Sequence, residues 1–491
     1  MDTHSDRHIW VGCLVSKPKS EADERSTFAV LLNGTIITVA AEAINEEFGI
    51  SDASFPNSYW PVASWTLGGA LFTMTLLPLM EDFGARWGYL VCYDQLTPKR
   101  SMTDLEQISY PVFVLFIVPQ AVAQNFATLV VTRFFAGGCV FLLANLTSAT
   151  ICDIWEGDVG RTVPVSLFIT AYLVGSSLGP VVGGAIFQFL QWRWIMYIQL
   201  IFYGALFPVF LFGIRETRGP VILRQKAKRI RAATDKRAYT REELLKTPIS
   251  EILITSIKRP IYMLFTEWVV FSFTFWSAFS VGTVYLFTQS VGIVFADLYG
   301  WEAYSTGYVQ GAVVIGEIIA WFASLLSAKL YFASAKRNTE TPGQPIPEAR
   351  LYMSVFASFV GTTGGMFVYA WTSYPTLPWA VPAIGLGMVG FGINVTVNAI
   401  GDYITDAYSM YAASSIAVVA FGENIFSAFL PLAAQSMYTT LGFHWASSLL
   451  GFLSLILAFA PVSVLVWGKS IRARSPFIKQ ASYEVKAAVP V

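Results

Sequence analysis

The sequence predicts an all-α membrane protein with about twelve spans arranged as two six-helix halves. Three observations lead there: an excess of apolar residues, their grouping into runs of bilayer length, and a basic segment that parts six runs from six. Of 491 residues, 55% are hydrophobic and 13% charged, against roughly 25% charged in an ordinary soluble domain. A soluble chain of this length needs more charge to cover itself, so the surplus apolar surface calls for lipid as its solvent. Lys+Arg and Asp+Glu both number 32, and that balance gives no reason to expect a nucleic-acid partner.

A helix needs about 20 mostly apolar residues to cross the hydrocarbon core. Such runs lie near 27–44, 60–79, 110–129, 130–151, 162–188, 193–214, 261–287, 307–331, 351–372, 378–400, 411–434 and 441–468. Helices are expected because backbone groups in lipid must bond within their own segment. Residues 1–26 lack the basic-then-apolar start of a secretory leader, so the first span is expected to serve as its own insertion signal. The sixth-to-seventh connection, 215–258, contains RQKAKRIRAATDKRAYTR. Assigned to the cytosol by the positive-inside rule, it brings both termini to that side, with Lys17, Lys19, Arg472 and Arg474. The loop holding Lys336, Arg337 and Arg350 follows, and Arg193 is the clear basic loop residue left opposite. The expected organisation is a cytosolic tail (1–26), a bundle (27–214), a basic cytosolic linker (215–258), a second bundle (259–468) and a cytosolic tail (469–491).

Cys13, Cys92, Cys139 and Cys152 show neither CxxC nor metal-ligand spacing, which points to small apolar packing residues and no disulfide framework. The sequons at Asn33, Asn145 and Asn394 fall inside spans. No P-loop, HExxH or GxSxG motif occurs. Direct ATP driving and the common hydrolase chemistries are thereby disfavoured, and neither cofactor nor metal is expected.

The fifth span holds LVGSSLGPVVGG over 173–184. Gly175, Gly179 and Gly183 stand four apart with Gly184 beside them, a spacing that lets membrane helices approach backbone to backbone. Pro180 removes one backbone hydrogen bond and is expected to bend the helix. GSSLGPVVGG resembles motif C of the major facilitator superfamily, which characterises its drug:proton antiporters. Arg133-Phe-Phe-Ala-Gly137-Gly138 resembles motif B, Trp192-Arg193-Trp194 the family's WRW turn, and Arg215-Glu216-Thr217 its PET-type ending. Pro347-Glu348-Ala349-Arg350-Leu351 and the stretch from Asp406 to Ser415 are similar to segments of the fungal twelve-spanner type. The resemblance runs from about residue 27 to 477. It implies a major-facilitator-type bundle whose halves rock about a central cavity, with proton-coupled export of small amphipathic compounds.

Two departures stand out. Motif A, in the loop after span 2, survives as Pro78-Leu-Met-Glu81-Asp82-Phe-Gly84-Ala-Arg86, where Gly84 and Arg86 match the turn and one basic residue. DQLTPKRSMTDLEQIS (94–109) then intervenes before an apolar run. Either it enlarges a cytosolic loop and residues 110–129 cross alone, or it is a splicing artefact.

Ionisable groups inside a bilayer cost at least ~2.5 kcal/mol each, which marks them as functional candidates. The family uses the arginine at Arg133 in proton coupling; a packing anchor bonded to carbonyls is the alternative. Glu317 and Glu423 fall near mid-bilayer and can carry protons, or can simply bond to neighbouring helices. Glu267 matches a family glutamate and can equally be interfacial. The amides Asn33, Asn145, Gln199, Asn394, Asn398 and Asn424 are candidates to line a cavity, Asn394 and Asn398 sharing one helical face. Trp276, Tyr285 and Trp321 are candidate aromatic members of that pocket. The reading is a proton-coupled exporter, monomeric, in the plasma membrane, whose partners are lipid, a small molecule and protons. Proton-driven nutrient uptake and a non-transporting sensor remain the alternatives.

Overall fold

Among the described residues every regular element is a helix. The computed structural model describes residues 32–52, 56–83, 106–155, 157–213, 249–338, 342–408 and 411–479, with a few helical positions between 223 and 231. Gly84, Arg86, the 94–105 part of the insert, most of the basic linker, the N-terminal tail and residues 480–491 lie outside the described residues.

The first half begins with helical residues 32–37, a 3-10 turn at Thr38–Ala40 and helix α1 (Ala41–Phe48). It continues through α2 (Trp60–Phe83), α3 (Glu106–Ala121), α4 (Phe126–Ile154), α5 (Asp158–Phe187) and α6 (Arg193–Gly213). The second half comprises α7 (Ile249–Thr266), α8 (Trp268–Tyr299), α9 (Ala303–Val309), α10 (Gly311–Ser334), α11 (Tyr352–Phe356) and α12 (Gly365–Thr372). Helices α13 (Ala380–Tyr408), α14 (Ala412–Phe429), α15 (Ala434–Leu441), α16 (Phe443–Leu457) and α17 (Phe459–Arg474) complete it. Among the described residues, eight stretches are long and apolar enough to cross a membrane, and shorter apolar helices occupy the third and sixth expected positions.

Several boundaries differ from the sequence expectation, the seventh span among them, which runs on to Tyr299. The third span ends at Ala121, and Asn125 caps the fourth by accepting the Thr128 amide at 2.8 Å. Apolar residues run through that turn, so hydropathy alone shifts the division to 129/130, whereas a capping asparagine marks the start. Helix α3 also takes in residues 106–109 of the polar insert. Helix α7 begins at Ile249, inside the expected linker, because ISEILITSIKR mixes apolar and polar residues and reads poorly as a span. The ninth span carries a π-helical stretch, Ala357–Gly364, where Gly361 comes against Gly392 of α13; a methyl at Gly361 would stand 2.9 Å from the Gly392 Cα.

The end at which α6 stops and α7 starts is the connector face, and the opposite end is the far face. Within the first half α4 packs along α2 and α3; within the second α10 packs on α13 and α8 on α14. Across the halves α2 meets α14 and α7, while α5 meets α9 and α10. Helix α5 runs unbroken through Pro164 and Pro180. Its far-face part explains its glycines. A methyl on Gly179 would lie 2.8 Å from the Ile36 backbone nitrogen, one on Gly183 would strike the Ile36 carbonyl, and one on Gly184 would lie 2.8 Å from the Tyr304 carbonyl oxygen. Gly307 of α9 answers by seating against the Pro180 carbonyl, and the Tyr308 hydroxyl donates to Gln188 Oε1 at 2.9 Å. Gly175 is buried one turn earlier, and Gly137 of α4 lies against the Trp65 backbone of α2.

A polar clamp closes the far face of the first half. Arg193 at the start of α6 pairs with Glu47 and donates to the carbonyls of Ala121 at 3.1 Å and Ala123 at 2.8 Å. The Trp192 indole donates to Glu47 at 2.5 Å. Partial burial pulls the Glu47 carboxyl up, but Arg193 and Trp192 outweigh it and hold the carboxyl below its usual range.

Two outcomes test this packing. Gly179→Leu should destabilise the protein by about 1–3 kcal/mol through overpacking, while Gly204→Ala, with nothing within 4 Å of the added methyl, should leave the thermal midpoint unchanged. Because Glu47 is depressed in the folded state, its contribution is present above the unfolded carboxylate value and lost as pH falls through the folded one. Glu47→Gln should therefore lower the thermal midpoint slightly at pH 7, the gap to wild type closing on acidification. The effect stays small because the Glu47 side chain is 39% exposed and screened.

Candidate functional site

On the connector side of the α5 contact, a cavity of about 200 Å³ opens between the halves. Its walls are mainly apolar, with Phe141 from α4, Phe168 from α5 and Ile400 from α13. Polar groups punctuate them: Asn145 of α4, Tyr172 of α5, Ser277 of α8, and Glu423 and Asn424 of α14. Glu423 accepts a hydrogen bond from Ser277 Oγ.

The connector end of this lumen is charged. Arg350 is 4% exposed, donating through Nη1 to Asp402 and through Nε to Asp406, both at 3.0 Å, with its guanidinium 3.6 Å over the Tyr331 ring. Neighbouring Glu348 pairs with Arg472 of α17. Sequence reasoning noted the Pro347–Leu351 and Asp406 segments separately and did not join them. The spacing of Asp402 and Asp406, one turn apart on the same face of α13, is the signal that could have done so. Arg161 and Thr405 also line this end.

A second polar group crosses between the halves deeper in the bundle. Glu317 of α10 is fully buried; Ser177 of α5 donates to its Oε1 at 2.7 Å, and its Oε2 has no partner. Asn394 donates to the Glu317 backbone carbonyl at 2.9 Å and to Thr170 Oγ1 at 3.1 Å. Asn398 donates to Asn394 Oδ1 at 2.6 Å. The seam thus runs from α5 across α10 to α13.

Arg133 anchors the third group, toward the far face. Fully buried, it donates through Nε to Pro61 O at 2.7 Å and through Nη2 to Gly34 O at 2.6 Å and Asn33 O at 3.1 Å. These acceptors are backbone carbonyls, and no carboxylate is among them. Asn33 donates to Gln199 Oε1 at 2.6 Å. Arg133 Nη1, Asn33 Oδ1 and Gln199 Nε2 are buried without partners, so the cluster keeps polar capacity in reserve. Tyr285 of α8 is buried, 1% exposed, and its hydroxyl has no hydrogen-bond partner.

The expected site residues therefore distribute over several places. Glu423 reaches the lumen wall, together with the amides Asn145 and Asn424. Asn33 and Gln199 belong to the Arg133 cluster, and Asn394 and Asn398 to the Glu317 seam. Trp276 packs in the second half's core against Phe273, with ring centroids 5.6 Å apart. Trp321 lies against Phe322 on α10. Glu267 sits in the break between α7 and α8, 3% exposed, accepting from the Tyr408 hydroxyl at 3.1 Å with Ser475 and Phe477 beside it. Among the described residues no group of three His, Cys, Asp or Glu is placed to hold a metal ion.

Comparison with known proteins accords with this architecture. The sequence profile of the Major Facilitator Superfamily matches residues 108–416. The MFS-type transporter paaT of Penicillium rubens is 32% identical over 92% of this chain and 78% of its own length. The efflux pump atB of Aspergillus terreus is 32% identical over 85% of this chain and 84% of its own. A citrinin biosynthesis cluster MFS transporter, mrr1 of Monascus ruber, is 32% identical over 92% and 86%. A bundle of membrane-length helices with a lumen between its halves, matched over most of its length by transporters of one kind, identifies the chain as a member of the Major Facilitator Superfamily.

Proposed function

We propose that this transporter exports small amphipathic organic compounds, of the secondary-metabolite kind, in exchange for protons. The observation that carries the reading is the lumen itself. It lies between the halves, is closed toward the far face by the α5 glycine contacts, and presents Glu423 in its wall. Space of about 200 Å³ exceeds the ~150 Å³ cavity that admits a benzene ring, so at least one aromatic ring fits. Apolar walls with a few polar groups suit amphipathic cargo. Several relatives carry names that associate them with efflux or with a metabolite cluster.

Proton coupling is assigned to Glu423 and Glu317, with Arg133 as the fixed cation that biases them. Glu423 can exchange a proton with the lumen, and Glu317 lies at the contact between α5 and α10 that must part if the far face opens. Glu267, packed against the C-terminal segment, is assigned a supporting place. The connector and both termini are placed in the cytosol of a plasma-membrane protein working as a monomer, the two bundles rocking about the lumen.

Proteoliposomes holding the full chain test the mechanism. An imposed proton gradient should drive rhodamine 6G against the proton flow; movement with the protons would replace export by uptake. Glu423→Gln and Glu317→Gln should each reduce gradient-driven transport at least tenfold, while dye exchange without a gradient persists. Arg133→Ala should reduce driven transport by a similar factor, and unchanged transport would remove Arg133 from the coupling.

A further inference from the structure

We infer that the lumen selects aromatic molecules bearing several hydrogen-bond donors, phenols and polyhydroxylated rings foremost, because its wall presents mostly acceptors. This rests on the same lumen being the transport site. Asn145 Nδ2 donates to the Phe141 carbonyl at 2.7 Å, and Asn424 Nδ2 donates to the Ala420 carbonyl at 2.8 Å. An amide nitrogen only donates and a backbone carbonyl only accepts, so the sense of both bonds is fixed by chemistry. Each amide is thereby turned so that its nitrogen is held against its own helix, and its oxygen is left without a donor and open to the lumen. Thr405 has given its hydroxyl hydrogen to the Gly401 carbonyl at 2.8 Å, and Ser277 has given its own to Glu423. Both hydroxyl oxygens can now only accept. The second carboxylate oxygen of Glu423 adds another acceptor.

The hydrogens that remain are fewer. One N–H is left on each amide, and the hydroxyls of Tyr172 and Ser148 can rotate to donate or accept. The arginines sit at the connector mouth, where Arg350 gives one N–H each to Asp402 and Asp406 and keeps its other N–H groups, and Arg161 is engaged. The excess of acceptors therefore belongs to the inner wall around Asn145, Asn424, Ser277 and Glu423. A ligand rich in ethers or carbonyls would leave these oxygens facing unmatched acceptors, whereas a ligand carrying O–H or N–H groups would satisfy them. An unmatched buried acceptor is the more expensive outcome, so discrimination follows from the wall rather than from size.

Isothermal titration of the full chain in lipid nanodiscs, with empty nanodiscs subtracted, tests this using 2,7-dihydroxynaphthalene and 2,7-dimethoxynaphthalene. The two share a ring system and both oxygens, and the dimethyl ether accepts hydrogen bonds but has no donor. The diol should bind at least about tenfold more tightly, the worth of two net hydrogen bonds. The paired variant Asn145→Leu with Asn424→Leu should bring the two affinities within about threefold by weakening the diol alone. Equal affinity in the wild type would overturn the donor preference and leave the export reading standing, as would a preference that survives the paired variant. Failure of both compounds to bind would remove the lumen as a ligand site, and the export reading with it. The wild-type comparison decides the matter even if the paired variant does not fold.

Discussion

In α5, Gly179 seats the Thr35 hydroxyl and the Ile36 amide, while Gly183 and Gly184 bring the helix against the backbone carbonyls of Ile36 and Tyr304. Water supplies no drive for such contacts inside lipid, where tails are as apolar as leucine. Association instead depends on dispersion between atoms that can approach closely and on the few polar bonds that cross. Glycine is the residue that permits it, and Gly307 supplies the same absence of bulk from the other half. Because Gly184 meets Tyr304 and Gly307 meets Pro180 toward one end of α5, the halves touch there, and the lumen lies on the connector side of that contact. The lumen is the consequence of that asymmetry.

Burial also governs how the polar groups are arranged. An orphaned donor or acceptor in the core is costly, and most groups here are satisfied locally. Arg133 uses three carbonyls from two helices, so a cation reinforces the first half without a carboxylate beside it. Some buried atoms keep no partner, among them Arg133 Nη1, Asn33 Oδ1 and Gln199 Nε2 in one place and Glu317 Oε2 in another. The second place carries a cross-half contact, from Ser177 of α5 to Glu317.

Most of the architecture was legible because hydropathy and helix length obey the same bilayer constraint. Spans 5, 8, 9 and 10 appear where apolar runs predict them. The turn at 122–125 was hidden because its apolar flanks leave no dip in hydropathy, and α7 because its polar face masks a helix. The site was less legible. An amide in a span announces that it must be bonded but not to what: Asn394 and Asn398 bond to each other, whereas Asn145 and Asn424 bond back to their own helices and face space. That difference depends on the rotational setting of each helix, which periodicity does not supply when all faces are apolar. Trp276 is a similar case, since an aromatic ring suits a core and a cavity equally.

The distribution of bond types between and within halves bears on how such a structure can move. The ion pairs described above lie inside one half each: Arg193 with Glu47 in the first, and Arg350 with Asp402 and Asp406, and Arg472 with Glu348, in the second. Ion pairs held by several short bonds stiffen the bundle that contains them, particularly when buried, as Arg350 is. The contacts described between halves are of another sort: glycine against backbone, Ser177 to Glu317, Thr170 to Asn394, and Tyr308 to Gln188. Neutral hydroxyl and amide bonds contribute only about 0.5–1.5 kcal/mol net and exchange readily for water. Parting α5 from α10 therefore costs a few such bonds, whereas deforming either half would break charge-assisted ones. In the proposed rocking, the change falls at the seam between the two bundles, and the groups that lose partners when it opens include the Glu317 carboxyl and the Asn394 amide.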